Sequence, residues 1–153
     1  MASVIDLPAD LQDALRNRDI IVFDGECVMC SGFFKFVLKR DRAVQFSFAT
    51  AQSPLGQKLY HALGLPTEDF ETNLVIVDGQ IYQRLDAACA AVGNFNLFWR
   101  ILGTARFLPD LIKSPLYFLI ARNRYRIFGR FQTCMMPSDE IKSRFLKGGY
   151  GVG

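Results

Sequence analysis

The sequence predicts a mixed α/β domain in which helices flank a sheet and a helical extension forms the C-terminal part. Strand and helix patterns alternate over about the first 94 residues, an Asp-Gly pair separates two apolar runs, and strand patterns stop after Asn96. The length of 153 residues fits one domain. We expect a core over about residues 19–94, a helical extension over about 95–147 and a flexible tail over 148–153.

The first three predicted elements are a short helix, a buried strand and a longer helix. A proline, which favours the first turn of a helix, opens a segment over residues 8–17. Residues 20–23 are a continuous apolar run rich in β-branched side chains, which is typical of a strand buried on both faces. After Asp24-Gly25, apolar and basic residues follow a helical period, so we predict a helix over 27–40.

A second strand, a helix and a hairpin are predicted next. Residues 44–49 alternate apolar and polar side chains, and residues 54–63 form a helical segment that a glycine ends. Two apolar runs, 73–77 and 81–84, flank Asp78-Gly79. Because both turn residues tolerate positive φ, this pair predicts a tight antiparallel hairpin.

The remaining predicted elements are helices. Asp86 is expected to cap a helix over 87–92. Ser114-Pro115 combines a capping residue with a first-turn proline and predicts a helix over 114–128. A serine at 138 predicts a last helix over 138–145.

The composition excludes several classes of protein. Half of the residues are hydrophobic and 22% are charged, a balance that excludes a disordered or disulfide-dense chain. The longest stretches without a charged residue, 43–57 and 87–99, are shorter than the ~18–20 apolar residues of a membrane span. The first residues lack the basic start and apolar core of a secretion signal, so we expect a cytoplasmic protein.

The strongest indication of chemistry is Cys27-Val28-Met29-Cys30, directly after a strand and a glycine turn and at the predicted start of a helix. Side chains three residues apart lie on one helix face, so the two sulfurs can form a disulfide. The N–H groups and dipole of the first turn lower the pKa of Cys27, which makes it a nucleophile. Cys30, one turn deeper, is expected to be shielded and to act as the resolving thiol.

Asp24 and Gly25 precede the cysteine pair at the end of the predicted strand. Gly25 forms the turn between strand and helix. The Asp24 carboxylate either accepts hydrogen bonds from the free N–H groups of the helix or takes and returns the Cys30 proton. As a nearby negative charge, it raises the pKa of a thiol and so opposes the helix dipole.

The other two cysteines are isolated in the sequence. Cys89 lies among alanines and is interpreted as small-residue helix packing, whereas Cys134 lies outside any periodic pattern. Cys134 is either a buried structural residue or a third thiol near the pair. A metal site would need Cys134 beside Cys27 and Cys30, because no second C-x-x-C is present.

Residues 121–130 concentrate positive charge beside aromatic side chains. Residues 95–134 contain seven Lys/Arg and one acidic residue. Arg122, Arg124 and Arg126 would favour the thiolate if the fold brings them close to it. The alternatives are a solvated helix face and a membrane-surface patch. We expect no nucleic acid partner, because the pI is about 8.7 and no binding motif accompanies the segment.

Three parts of the chain resemble the DCC family of thiol–disulfide oxidoreductases. They are Asp24-Gly25-Glu26-Cys27-Val28-Met29-Cys30 after an apolar strand, the segment 120–129, and Cys134 followed by Pro137. They occur in the family's order and span roughly residues 20–146.

The resemblance implies a thioredoxin-like fold for the sheet and its helices. It also implies that Cys27 and Cys30 are the redox pair, and it marks Asp24 and Cys134 as residues that fit the family pattern. It implies no particular substrate.

The chain departs from thioredoxins themselves at two places. No proline occurs between Pro66 and Pro109, and Thr72-Asn73 stands where thioredoxin-like enzymes place a cis-proline. The apolar pair Val28-Met29 replaces the Gly-Pro of thioredoxin. Both differences favour a narrower partner than a general protein-disulfide reductase has.

We therefore predict a thiol–disulfide oxidoreductase that acts on a disulfide-containing protein or a small thiol and needs no metal or organic cofactor. One alternative is a non-catalytic, redox-sensing module that binds a protein or a membrane surface through residues 121–130. The other is a structural metal site formed by Cys27, Cys30 and Cys134.

Overall fold

A computed structural model describes residues 2–68, 70, 72–93, 97–130, 132 and 136–151. Within these residues, short 3-10 segments lie at Val4–Asp6, Thr104–Phe107 and Lys142–Arg144. The helices and strands are α1 (Ala9–Leu15), β1 (Asp19–Phe23), α2 (Val28–Arg40), β2 (Phe46–Thr50), α3 (Pro54–Ala62), β3 (Leu74–Val77), β4 (Gln80–Gln83), α4 (Arg84–Val92), α5 (Leu97–Gly103) and α6 (Asp110–Phe128).

The four strands form one mixed sheet in the order β2-β1-β3-β4. β1 is parallel to β2, with Ile21 opposite Phe48, and antiparallel to β3, with Ile21 opposite Val75. The parallel pair is connected through α2, as a crossover unit requires. The predicted fold class, a mixed α/β sheet flanked by helices with a helical C-terminal part, is confirmed.

The hairpin between β3 and β4 turns where the sequence predicts it. Asp78 and Gly79 both have positive φ, 50° and 75°, which the tightest hairpin turns require. The antiparallel register pairs Val77 with Gln80.

β1 is buried on both faces. Ile20 and Val22 pack into a cluster with residues of α1 and α3, whereas Ile21 and Phe23 pack into a second cluster with residues of α2 and α4. Alternation of side chains along a strand explains this division. The continuous apolar run at 20–23 is therefore the central strand of the sheet and leads directly to the cysteine pair.

β2 begins later than predicted. Val44 adopts a positive φ of 54°, and the Asp41 carboxylate accepts hydrogen bonds from the N–H groups of Gln45 and Phe46 at 2.9 and 2.8 Å. These bonds hold residues 44 and 45 in a turn, so the predicted strand start at Val44 is wrong.

Two helix starts also differ from the prediction. Asp86 lies in the first turn of α4 instead of capping it, and it accepts a hydrogen bond from Lys113 at 2.7 Å. Helix α6 begins at Asp110, so Pro115 lies inside the helix and not in its first turn. A proline inside a helix removes one backbone hydrogen bond, and here the helix continues through it.

The predicted helix over 138–145 is wrong. Only Lys142–Arg144 form a 3-10 turn there. The Arg144 guanidinium binds the Asp41 carboxylate and, at 2.9 Å, the Phe46 carbonyl. These contacts draw the chain across β2, where Phe145 forms a parallel bridge with Phe48.

Part of the tail that we expected to be flexible packs on the core. The carbonyls of Gly148 and Gly149 accept backbone hydrogen bonds from Leu55 and Thr50 at 3.0 and 2.7 Å. Tyr150 packs edge-on against Phe145. In the described part of the chain, no helix is long and apolar enough to cross a membrane.

Candidate redox site at the start of helix α2

The cysteine pair lies where β1 passes into α2. Cys27 is the N-cap of α2, and its sulfur accepts a hydrogen bond from the backbone N–H of Cys30 at 3.4 Å. An N-cap side chain that accepts such a bond satisfies one of the free N–H groups of the first turn. Both cysteines are buried: Cys27 is 0% exposed and Cys30 is 3% exposed.

The two thiols differ in acidity. A hydrogen bond from the Cys30 side chain is the largest influence on Cys27; together with the Cys30 N–H and the charge of Arg124 it outweighs burial and Asp24, which act in the opposite direction, and lowers the pKa of Cys27 to about 6. The same hydrogen bond to Cys27, burial and nearby negative charge raise the pKa of Cys30 far above its usual range. Near neutral pH, Cys27 is therefore the thiolate and Cys30 the thiol that stabilises it.

The Asp24 carboxylate is fully buried and accepts four hydrogen bonds. One oxygen accepts from the Glu26 N–H at 2.9 Å and from the Gln52 side chain at 2.6 Å. The other accepts from Arg124 at 3.2 Å and from the Tyr125 hydroxyl. A carboxylate has about four acceptor positions, so these donors fill the hydrogen-bonding capacity of Asp24.

Arg124 is the buried counter-charge of Asp24. It is 3% exposed, and it also donates to the Phe70 and Ala121 carbonyls at 2.6 and 2.7 Å. Burial lowers the pKa of Arg124, but Tyr125 and Asp24 raise it more, so the guanidinium stays charged. Burial and the bond to Asp24 also raise the pKa of the Tyr125 hydroxyl, which remains protonated as a donor.

The turn before the cysteines is held by a residue that the sequence analysis missed. The Gln52 side-chain oxygen accepts a hydrogen bond from the Gly25 N–H at 3.0 Å, and its nitrogen donates to Asp24. Gln52 therefore ties the end of β2 to the start of the site. No motif marked it, because it approaches the turn only through the parallel pairing of β1 and β2.

Cys30 lines a small cavity. Its sulfur lies 3.8 Å from the Asn73 side-chain oxygen, and the Asn73 N–H donates to the Tyr117 hydroxyl at 3.3 Å. A cavity of about 30 Å³ is lined by these residues and by Arg124, which is about the volume of one water molecule. The segment that replaces the expected cis-proline thus reaches the redox pair through Asn73.

The segment after α6 lies against Cys27. Arg130 forms an isolated antiparallel bridge with Cys27, and its guanidinium binds the Glu26 carboxylate, with Nε at 2.7 Å from an oxygen. Gly129 permits this path, because it ends α6 with a φ of +88°, a conformation that favours glycine.

The predicted supporting residues occupy different places. Among the three arginines, only Arg124 reaches the site; Arg122 and Arg126 are exposed. Cys89 is buried inside α4, as its alanine neighbours indicate. Cys134 lies outside the described residues. Within the described part of the chain, no group of three metal-ligating side chains comes together, and the metal alternative that includes Cys134 keeps its status as a prediction.

Comparison with known proteins assigns the family. Residues 21–130, which contain β1, the cysteine pair and the Asp24–Arg124 contact, match the DCC1-like thiol-disulfide oxidoreductase family. The chain belongs to this family. The DCC1-like match confirms the resemblance drawn from residues 24–30 and 120–129, and the family name supports a general thiol–disulfide redox role.

Two relatives extend over most of the chain. The uncharacterized protein YuxK of Bacillus subtilis is 39% identical over 134 residues, which cover 88% of this chain and 97% of YuxK. A chloroplastic DCC family protein of Arabidopsis thaliana is 31% identical over 119 residues, which cover 77% of this chain and 69% of that protein. No solved structure matches the chain.

Proposed function

We propose that this DCC1-like protein is an enzyme that exchanges a Cys27–Cys30 dithiol with a disulfide, as thioredoxin-like proteins do. The observation that carries the proposal is the opposite shift of the two thiols in one helical turn: the pKa of Cys27 is lowered to about 6 and the pKa of Cys30 is raised. A nucleophile that is ionised at neutral pH and a protonated resolving thiol are what such exchange requires.

The reaction consists of two displacements. The Cys27 thiolate attacks one sulfur of the partner disulfide, so a Cys27–partner bond forms and the other partner sulfur leaves as a thiolate. Cys30 then loses its proton and attacks Cys27, and the second partner sulfur leaves. The partner disulfide gains two electrons, and the Cys27–Cys30 dithiol loses two.

Asp24 acts in this proposal as a positioning residue. Its four acceptor positions are filled by Glu26, Gln52, Arg124 and Tyr125, so it would have to release one donor before it could take the Cys30 proton. Its charge opposes the Cys27 thiolate, and Arg124 offsets that effect. The Asp24–Arg124 pair therefore influences the pKa of Cys27 through two opposite charges.

The substrate is a protein disulfide or a small thiol disulfide of restricted shape. Cys27 is 0% exposed, so a partner sulfur reaches it only after neighbouring residues move. The Arg130 segment is the neighbour that pairs with Cys27 among the described residues. Because this movement is required, a partner that binds the Arg130 segment should react faster than disulfides that do not bind it.

The test is capture of the mixed disulfide. Cys30→Ser protein treated with a peptide disulfide or with oxidised glutathione should retain one partner half on Cys27, as measured by mass spectrometry of the intact protein. Cys27→Ser should form no adduct and should have no exchange activity. Cys89→Ser, which changes a buried cysteine in α4, is the matched control and should behave as the wild type.

The reduction potential gives the direction of electron flow. A value near about −270 mV would indicate a reductant, and one near about −120 to −180 mV an oxidant or isomerase. If no Cys27–Cys30 disulfide forms in any thiol buffer, or if both serine variants exchange like the wild type, the proposal is wrong.

A further inference from the structure

The C-terminal helices expose most of their large apolar side chains. Fourteen of the sixteen large hydrophobic residues that are exposed in the described part of the chain lie between residues 97 and 136. Monomeric soluble proteins rarely expose a large contiguous apolar surface unless it binds something. We call the exposed apolar side chains of α5, of residues 104–108 and of α6 up to residue 119 the apolar face.

On α6, apolar side chains face outward and charged side chains face inward. Leu111 is 87% exposed and Leu119 is 63% exposed, whereas Lys113 and Arg124 on the inner side are 7% and 3% exposed. The inner charges are paired with Asp86 and Asp24 at 2.7 and 3.2 Å. A surface helix of a globular protein normally turns its apolar side chains inward and its charged side chains outward. This part of α6 does the reverse, so packing of the core does not explain why its leucines face outward.

Exposed arginines border the apolar face. Arg100 lies on α5, and Arg122 and Arg126 follow Leu119 along the exposed side of α6. In the sequence from 97 to 130 the one acidic residue is Asp110, which is 88% exposed and lies 3.3 Å from the Lys113 ammonium, to which Asp86 also binds. The three exposed arginines outnumber this carboxylate, so the border carries a net positive charge, and its complement is an anionic surface.

We propose that the apolar face and its arginine border bind an anionic lipid bilayer, with α5 and α6 lying in the plane of the membrane surface. In this arrangement the exposed apolar side chains would insert below the headgroups while the arginines contact the anionic lipids. The helices lie on the membrane and do not cross it, in agreement with the absence of a spanning helix in the described residues.

A second copy of the chain is a poorer occupant of the apolar face. A two-fold interface places the same patch of both subunits together, and so would bring the bordering arginines of one copy towards those of the other. Like charges at an interface oppose association, whereas an anionic bilayer pairs with them.

Membrane binding would also locate the redox site. Ile120, which is 41% exposed and directly follows the last residue of the apolar face, lines the small cavity beside Cys30 together with Tyr117. If the proposed exchange reaction is correct, its substrates would include disulfides of proteins at the membrane surface. The binding itself needs neither cysteine, so the two proposals fail independently.

The experiment is flotation of the full-length protein with vesicles. We expect binding to phosphatidylcholine vesicles that contain phosphatidylglycerol and weak or undetectable binding to pure phosphatidylcholine. The Leu111→Gln/Leu116→Gln/Leu119→Gln variant should bind on the order of a thousandfold more weakly, because it lacks three exposed leucines that the bilayer would bury. The Arg100→Gln/Arg122→Gln/Arg126→Gln variant should bind on the order of a hundredfold more weakly, from about 1 kcal/mol for each basic residue.

Two matched controls separate position from composition. Ile5→Gln changes an exposed apolar residue elsewhere (81% exposed), and Arg16→Gln/Arg18→Gln/Arg42→Gln removes the same charge from exposed positions in the first part of the chain. Both should bind like the wild type. Equal loss in the charge control, or no binding to the anionic vesicles, would overturn the proposal. A dimer that the leucine variant dissociates, without vesicle binding, would assign the apolar face to a second copy instead.

Discussion

At the scale of single residues, the site separates two chemically identical thiols by one helical turn. Cys27 is at the N-cap, where it accepts hydrogen bonds from both the N–H and the side chain of Cys30. Both bonds stabilise a thiolate on Cys27, and the side-chain bond also keeps the proton on Cys30. The difference in pKa between the two thiols is therefore produced mainly within the C-x-x-C motif. The charges of Asp24 and Arg124 change the pKa of Cys27 in opposite directions.

The first prediction concerns the pH at which the thiolate forms. The ultraviolet absorbance of the thiolate in reduced protein should have its midpoint near the lowered pKa of Cys27, about 6, against about 8.5 for an ordinary cysteine. Cys30→Ala should raise this midpoint towards the ordinary value because the largest stabilising bond is lost. Cys30→Ser retains a donor and should raise it less.

The same pKa determines how the reduced protein responds to acid. Because the folded-state pKa is lowered, the thiolate contributes stability that is complete above about pH 8.5, the pKa of the unfolded thiol. That contribution is lost as the pH falls through the folded pKa of about 6.

For the absorbance titration, a midpoint at the ordinary value in the wild type, or an equal shift in both Cys30 variants, would contradict the assigned role of the Cys30 side chain.

At the scale of elements, three segments that are distant in sequence enclose the redox pair. The cysteines lie at the start of α2, just after β1, and Asn73, directly before β3, lies beside Cys30. The last turns of α6 bring Arg124, and the residues after α6 bring Arg130. The segment after α6 is attached by a backbone bridge and by a partly exposed ion pair to Glu26. Such a pair is weak enough to open.

The second prediction is that opening this segment exposes Cys27. Arg130→Ala or Glu26→Gln should increase the rate of alkylation of Cys27 by about 1.4-fold to fivefold, since a partly exposed ion pair contributes ~0.2–1 kcal/mol. The rate is measured by mass spectrometry at a pH at which Cys27 is fully ionised. Asp139→Asn, which breaks the exposed Lys142 pair, should leave the rate unchanged.

The opposite result would be equally informative. If alkylation is already fast in the wild type and neither variant changes it, the Arg130 segment does not limit access to Cys27. The restricted substrate proposed for the site would then have no structural basis in this segment.

At the scale of the whole molecule, the C-terminal part of the chain returns to complete the core. Phe145 packs against Phe23, Phe34 and Phe48, with ring centroids 6.3, 5.6 and 6.1 Å apart. The Leu146 N–H donates to the Phe48 carbonyl at 3.0 Å. The apolar cluster that packs against α2 therefore contains residues from both the first and the last part of the sequence.

The third prediction follows from this closure. Phe145→Ala should lower the free energy of unfolding by about 3–5 kcal/mol, the usual cost of truncating a buried phenylalanine. Phe107→Ala, at a side chain that is 75% exposed, should change it by less than about 0.5 kcal/mol. Urea unfolding followed by circular dichroism measures both. Equal, small effects would show that the C-terminal segment is not part of the cooperative core.

The sequence alone determined those features that depend on short-range pattern. Residues 20–23 are predicted as a buried strand because the apolar run is short and rich in β-branched side chains. Asp78-Gly79 turn tightly because both residues tolerate positive φ. Cys27 lies at the N-cap of α2 because the helical pattern begins directly after the Asp24-Gly25 turn, which is also a local feature. The fold class, the cysteine pair and the family all followed from such patterns.

The tertiary structure decided which distant residues meet. Arg122, Arg124 and Arg126 are alike in the sequence, but only Arg124 lies on the side of α6 that reaches Asp24, a hundred residues away. Gln52 carries no motif, and the motifs around Asn73 and Tyr125 do not show which atoms these residues contact; all three join the site through strand pairing and helix packing. Asp86 likewise meets Lys113, and Asp41 meets Arg144, although the members of each pair are distant in sequence. Local pattern specifies an element, whereas the pairing of buried charges and polar groups is settled only when the elements pack together.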